Sequence, residues 1–163
     1  VAKISSKKTE NRLNLSFATT SRRKVILYPR GEHHHLEDIL SRVNTEYFEG
    51  KLNLKISWFT RRRSQAPRRI VLGSYHFKSE LIRINRYLDA AHIPDYFVAY
   101  IVYHEALHHV YPPVRGKRGK RSIHHPQFKE YEKKFKHYDL AQEFRKKIRK
   151  NLFGGNNKTN RAC

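Results

Sequence analysis

Cysteine is nearly absent: the single one, Cys163, is the last of the 163 residues. One thiol can close no intrachain disulfide and build no Cys-based zinc knuckle. A reducing, intracellular setting is therefore expected, cytoplasmic or nucleoid and nuclear. Long apolar runs are missing too. None approaches the ~18 residues a bilayer crossing takes, and no signal-peptide core stands out, so a membrane is not an expected partner. The chain begins with Val1 rather than Met, so its first residue need not be the native start. Acidic residues are scarce, 14 against 35 Lys and Arg, for a formal charge of +21. Hydrophobic residues make up 38%, enough for one core in one domain with loose ends.

The basic excess is clustered. Arg22-Arg23-Lys24, Arg61-Arg62-Arg63, Arg68-Arg69, Lys117-Arg118 with Lys120-Arg121, and Arg145-Lys146-Lys147 with Arg149-Lys150 are the main groups. Each phosphate neutralised by such residues releases counterions, so a polyanion, DNA or RNA, is the expected partner. A merely solvated basic surface is the competing reading. An anionic membrane fits less well, because the runs lack the bulky apolar neighbours of an interfacial helix.

Residues 1–24 read as a disordered basic arm, 25–152 as the folded domain and 153–163 as a disordered polar tail. Lys24–Tyr28 reads as a short strand or a strap over the core. His33-His34-His35 cannot all face one ion from a regular element and reads as a polar lead-in to a helix. That helix spans about Leu36–Phe48 on a stripe of Leu36, Ile39, Leu40, Val43 and Tyr47, with Gly50 at its C-cap. Leu54–Phe59 alternates like a strand, 60–69 is an Arg-rich loop, and Ile70–Phe77 with Glu80–Asn85 reads as a hairpin turning at Lys78-Ser79. A helix over Asp95–Val110 follows Pro94 and stops before Pro112-Pro113. Val114–Ser122 reads as a mobile loop, and His125–His137 and Asp139–Leu152 as further helices. The order predicts an α+β fold with one small sheet.

Within the 95–110 helix stands His104-Glu105-Ala106-Leu107-His108. Positions i and i+4 share a helix face, so the two imidazoles can meet at one point and supply half of a tetrahedral zinc site. Glu105 projects beside such a metal, where it can take a proton from bound water. The stripe Phe97, Ile101, His104, His108 puts the pair on the buried face. A pair of hydrogen-bonded core histidines is the bland reading, and the intervening Glu argues against it. A catalytic zinc takes three protein ligands and leaves the fourth position to water. The third is sought downstream in His124-His125-Pro126-Gln127-Phe128, with Asp139 or Glu143 as the choice if the site uses a carboxylate.

The series Val43-Asn44-x-x-Tyr47-Phe48-x-Gly50-x-Leu52, Ile56-x-Trp58, Gly73-Ser74-Tyr75, Ile82-x-Ile84-Asn85, His104-Glu105-x-x-His108 and His124-x-x-x-Phe128 resembles the SprT-like family of zinc metallopeptidase domains over about residues 36–140. The resemblance implies a zincin-like fold, a three-stranded sheet packed on the active-site helix with further C-terminal helices. It also implies one zinc ion per chain held by His104, His108 and His124, with Glu105 as catalytic base. His124 is preferred to His125 because the family's third His stands four residues before a Phe, here Phe128. Family members include proteases that degrade proteins crosslinked to DNA, which fits the charge. Many relatives carry a C-terminal four-Cys zinc ribbon, which this chain cannot form.

The expected function is hydrolysis of peptide bonds in proteins near nucleic acid. Tyr111, Arg115, Tyr131 and Tyr138 are candidates to stabilise the oxyanion, and Glu80–Asn85 is a candidate edge strand for the substrate. Arg145, Lys146, Lys147, Arg149 and Lys150 are the candidate nucleic-acid contacts, on a helix expected outside the zinc cleft. The alternatives are a nucleic-acid-binding module whose structural zinc takes a fourth ligand from His109, His125 or His137, and a zinc hydrolase of non-peptide amides.

Overall fold

Leu36, Ile39 and Val43 recur at helical spacing and are buried together along one face of α1 (Leu36–Phe48). The helix ends at Phe48 as its spacing predicts, with Glu49 rather than Gly50 at the C-cap. Glu49 already takes the left-handed conformation (φ 55°), and Gly50 continues it at φ 70°. Asn44 then clasps the outgoing chain: its side-chain amide donates to the Leu52 carbonyl, and its oxygen accepts from the Leu52 N–H. That pair delivers the chain to the first strand.

The structure is a computed structural model that describes residues 26–60, 70–116 and 119–153. The expected arm, residues 61–69 of the Arg-rich loop and the tail beyond 153 lie outside the described residues. β1 (Lys55–Phe59) runs parallel to β3 (Leu81–Asn85), and β2 (Gly73–His76) pairs antiparallel with β3. The order is β1-β3-β2. The last strand of the three is therefore central, and the expectation of Glu80–Asn85 as an edge is corrected. Leu81, Ile82 and Ile84 are buried, as a central strand requires, whereas β2 holds only half-buried and exposed residues. Residues from Ile26 form the strap: Tyr28 gives its N–H to Ser57 Oγ and accepts the Trp58 N–H along the outer edge of β1.

A short 3₁₀ turn (Arg86–Leu88) leads to α2 (Asp95–Val110). α2 packs against α1, β2, β3, α3 and α4. Phe97 through Tyr103, Ala106 and Leu107 are all buried, so α2 is a central helix rather than an amphipathic surface one. Among the described residues, no helix is long and apolar enough to cross a membrane.

Beyond Pro112-Pro113 the expected loop contains a small ladder, β4 (Val114–Arg115) with β5 (Arg121–Ser122). α3 (Pro126–Glu132) is shorter than its periodicity suggests. After Glu132 the chain tightens into i→i+3 bonds, Lys134 to Tyr131, Phe135 to Glu132 and Tyr138 to Phe135. These turn Phe135 into the core before α4 (Tyr138–Phe153) begins.

A candidate metal centre in an open cleft

His104 and His108 lie one turn apart on α2 with ring centres 5.1 Å apart. His124, in the three-residue link between β5 and the start of α3, stands 5.0 Å from each. The three rings thus form a nearly equilateral triangle, and one nitrogen from each lies within 4.8 Å of the others. Phe128, fully buried on the first turn of α3, is its floor: its ring lies 4.7 Å from His108, 4.8 Å from His124 and 5.2 Å from His104. The four-residue spacing from His124 to Phe128 has its physical basis in that floor.

The donor set fits a zinc ion. Two imidazoles on one tetrahedral zinc, each about 2.0–2.1 Å from it, stand about 3.3–3.4 Å apart. His108 Nε2 and His124 Nε2 are 3.4 Å apart. Burial pushes the His108 imidazole down to about 4, helped by the neighbouring His104 and His124. His124 is lowered too, chiefly by burial. Both shifts favour the neutral imidazole that metal ligation requires. His104 Nδ1 donates to Glu132 Oε1 at 2.8 Å, which turns its Nε2 towards the other two rings. Tyr100 donates to the same oxygen at 2.6 Å, and Gln142 donates to the Tyr100 hydroxyl at 2.6 Å. Burial alone would raise the Glu132 carboxyl, but these hydrogen bonds from His104 and Tyr100 hold it below its ordinary value.

Glu105 is 6% exposed and packs where β2 approaches α2. A Cβ on Gly73 would fall 2.7 Å from its Oε1 and 2.9 Å from Ile101, so a residue without a side chain is needed there. Desolvation pushes the Glu105 carboxyl up to about 7, against the opposing pull of His104 and Arg145. A carboxyl in that range exchanges its proton readily near neutral pH.

No fourth protein ligand joins the triangle among the described residues. His109 Nδ1 is engaged by the Tyr75 hydroxyl at 2.7 Å. His125 is buried near Tyr111, and His137 lies against Tyr96 and Phe135. Asp139 and Glu143 are exposed on α4, outside the cluster.

The triangle and Glu105 open onto a cavity of about 770 Å³ bounded by β2, α2, the β5–α3 link and α4. Arg145 and Arg149 line it, so α4 forms part of the cleft and the expectation that it lies outside is corrected. The signal was present in the sequence: Arg145 falls on the stripe of Ala141, Phe144 and Ile148 that faces the core. Tyr111, Arg115, Tyr131 and Tyr138 do not line the cavity, and Tyr111 stacks on Tyr131 at 4.6 Å instead. Glu132 had no spacing rule to reveal it.

Neither a protein-family model nor a curated protein matches the sequence. Among solved structures, the metallopeptidase zymogen of Methanocaldococcus jannaschii jannalysin matches with a TM-score of 0.50 at 16% identity, covering 78% of this chain and 99% of that one. The two share a fold. With the imidazole triangle, that places a possible metal site within a fold that a metallopeptidase also uses.

Proposed function

We propose that this protein is a zinc-dependent metallopeptidase of the SprT-like, zincin-like kind, intracellular and acting on proteins bound to nucleic acid. The observation that carries the reading is the open three-imidazole triangle with Glu105 beside it. A purely structural zinc calls for a closed four-ligand shell and has no use for a buried carboxylate at that position. The likeness in fold to a metallopeptidase and the motif series from Val43 to Phe128 support the same conclusion. The net charge of +21 supports a nucleic-acid partner.

His104, His108 and His124 would hold the zinc, one ion per chain. When bound, that ion supplies Lewis acidity to a water and to the scissile carbonyl. Glu105 accepts the proton of the attacking water at its carboxylate and later returns it to the leaving amine. Glu132 keeps the His104 ring turned with Nε2 inward. β2 lies at the edge of its sheet and lines the cleft, so its outer backbone groups suit an extended peptide added as a further strand.

Glu105→Gln tests the chemistry. The variant should keep zinc by elemental analysis, because residue 105 is not a ligand. Cleavage of casein, or of a protein bound to DNA, should fall by about 10²- to 10⁴-fold. Cleavage at the parent's rate would sink the peptidase mechanism.

A further inference from the structure

Among the described residues lining the cleft, Arg121, Arg145 and Arg149 carry positive charge and Glu105 is the one carboxylate. Arg121 begins β5, while Arg145 and Arg149 stand one turn apart on α4 and share a face. Among the described residues none of the three is in an ion pair. Arg145 is half-buried and Arg149 is exposed. Phe77 and Ile123, both exposed, add apolar surface to the same cavity.

We propose that the cleft selects acidic peptides, receiving Asp or Glu side chains near the scissile bond on Arg145 and Arg149, with Arg121 as a further cation of the same wall. This names the substrate class of the site and rests on the peptidase reading above. A guanidinium fork matches a carboxylate with two parallel hydrogen bonds, and partial burial strengthens the pair. Lysine-rich peptides meet the opposite condition, repelled by three guanidiniums. A nucleic-acid strand suits the cleft less well. Bases stack on free aromatic faces, and among the described residues lining the cleft Phe77 is the one exposed aromatic ring, with Tyr75 packed edge-on to it and held at its hydroxyl by His109.

The test uses zinc-loaded full-length protein carrying Glu105→Gln, so that binding is read without turnover. Short fluorescent peptides of matched length, with an apolar centre flanked by Asp/Glu or by Lys, are titrated at low salt. The acidic peptide should bind at least about tenfold more tightly, the gain of one charge-assisted hydrogen bond. Arg145→Gln and Arg149→Gln should each reduce that preference severalfold with zinc content unchanged, and Arg149→Lys should retain part of it. Arg149 is exposed, so its variants keep the test open if Arg145→Gln fails to fold. Equal binding of both peptides, or a preference indifferent to both arginines, overturns the proposal. So does displacement of the acidic peptide by a single-stranded oligonucleotide that depends on Arg145, which would assign the cleft to nucleic acid. Parallel cleavage assays with the parent protein separate the two readings. Acid-selective binding without hydrolysis would defeat the peptidase reading alone, and hydrolysis of acidic and basic peptides alike would defeat the selectivity alone.

Discussion

Glu132 does not line the cleft, yet the direction of the His104 ring depends on it. Its carboxylate receives His104 Nδ1 at 2.8 Å and is itself held by Tyr100. Glu132→Gln should weaken zinc affinity by about 10- to 100-fold, the usual cost of losing a carboxylate behind a ligating imidazole. Hydrolysis should recover largely when zinc is saturating. Zinc retention against a graded chelator measures the first, and zinc-titrated activity the second. Gly73 acts from the opposite wall. Its missing side chain lets β2 approach Glu105 and Ile101, so Gly73→Ala should destabilise the fold by about 1–3 kcal/mol through overpacking. Hydrolysis should fall at the same time because Glu105 must shift. Thermal unfolding and peptide cleavage report the two effects, and a variant with parental values in both would show that the strand has room to spare.

At the scale of elements, the segment entering α1 is tied to the turn entering α2 by one carboxylate. Asp89 accepts the backbone N–H groups of Glu32, His33 and His34, and its side chain is nearly inaccessible to water. Gly31 has no side chain because a Cβ there would strike the same carboxylate. Arg42 of α1 also pairs with Asp95 at the start of α2. Burial by itself would raise the Asp89 carboxyl, but the three N–H donors and Arg86 hold it below the ordinary value. A lowered folded value means that the stabilisation is fully present above the unfolded carboxyl's range. It is lost as pH falls through the folded value. Asp89→Asn should therefore cost about 1–3 kcal/mol at pH 7. The gap to the parent should narrow below about pH 4. Urea midpoints at neutral and acid pH check it, and a gap that stays constant would mean that the carboxylate's charge contributes nothing.

For the molecule as a whole, the charge of +21 argues for binding through phosphates. The basic residues of α4 fall into two sets. Arg145 and Arg149 line the cleft, whereas Lys146, Lys147 and Lys150 are exposed and do not. Replacing those three lysines with Gln should reduce the salt dependence of DNA or RNA binding by up to about 0.9 in log–log slope per lysine. Cleavage of a free peptide should be unchanged. A salt-titrated binding assay decides it, and an unaltered slope would count against this helix as a nucleic-acid contact.

What the sequence determined by itself is local. The stripe of Leu36, Ile39 and Val43, the strands within 54–59 and 80–85, and the boundaries of the Asp95–Val110 helix all follow from patterns a few residues long. So does the pairing of His104 with His108, because a helix turn sets it. Other features were decided by distant parts of the chain. β3 became central because β1 arrives parallel on its far side, and no period within residues 81–85 encodes that partner. Glu132 reaches His104 only because i→i+3 turns end α3 where its carboxylate faces α2. Arg145 enters the cleft because α4 packs on α2 along the stripe that carries it. A ligand pair within one helical turn is written in local geometry, whereas the residues that orient, charge and bound the site are brought together by packing.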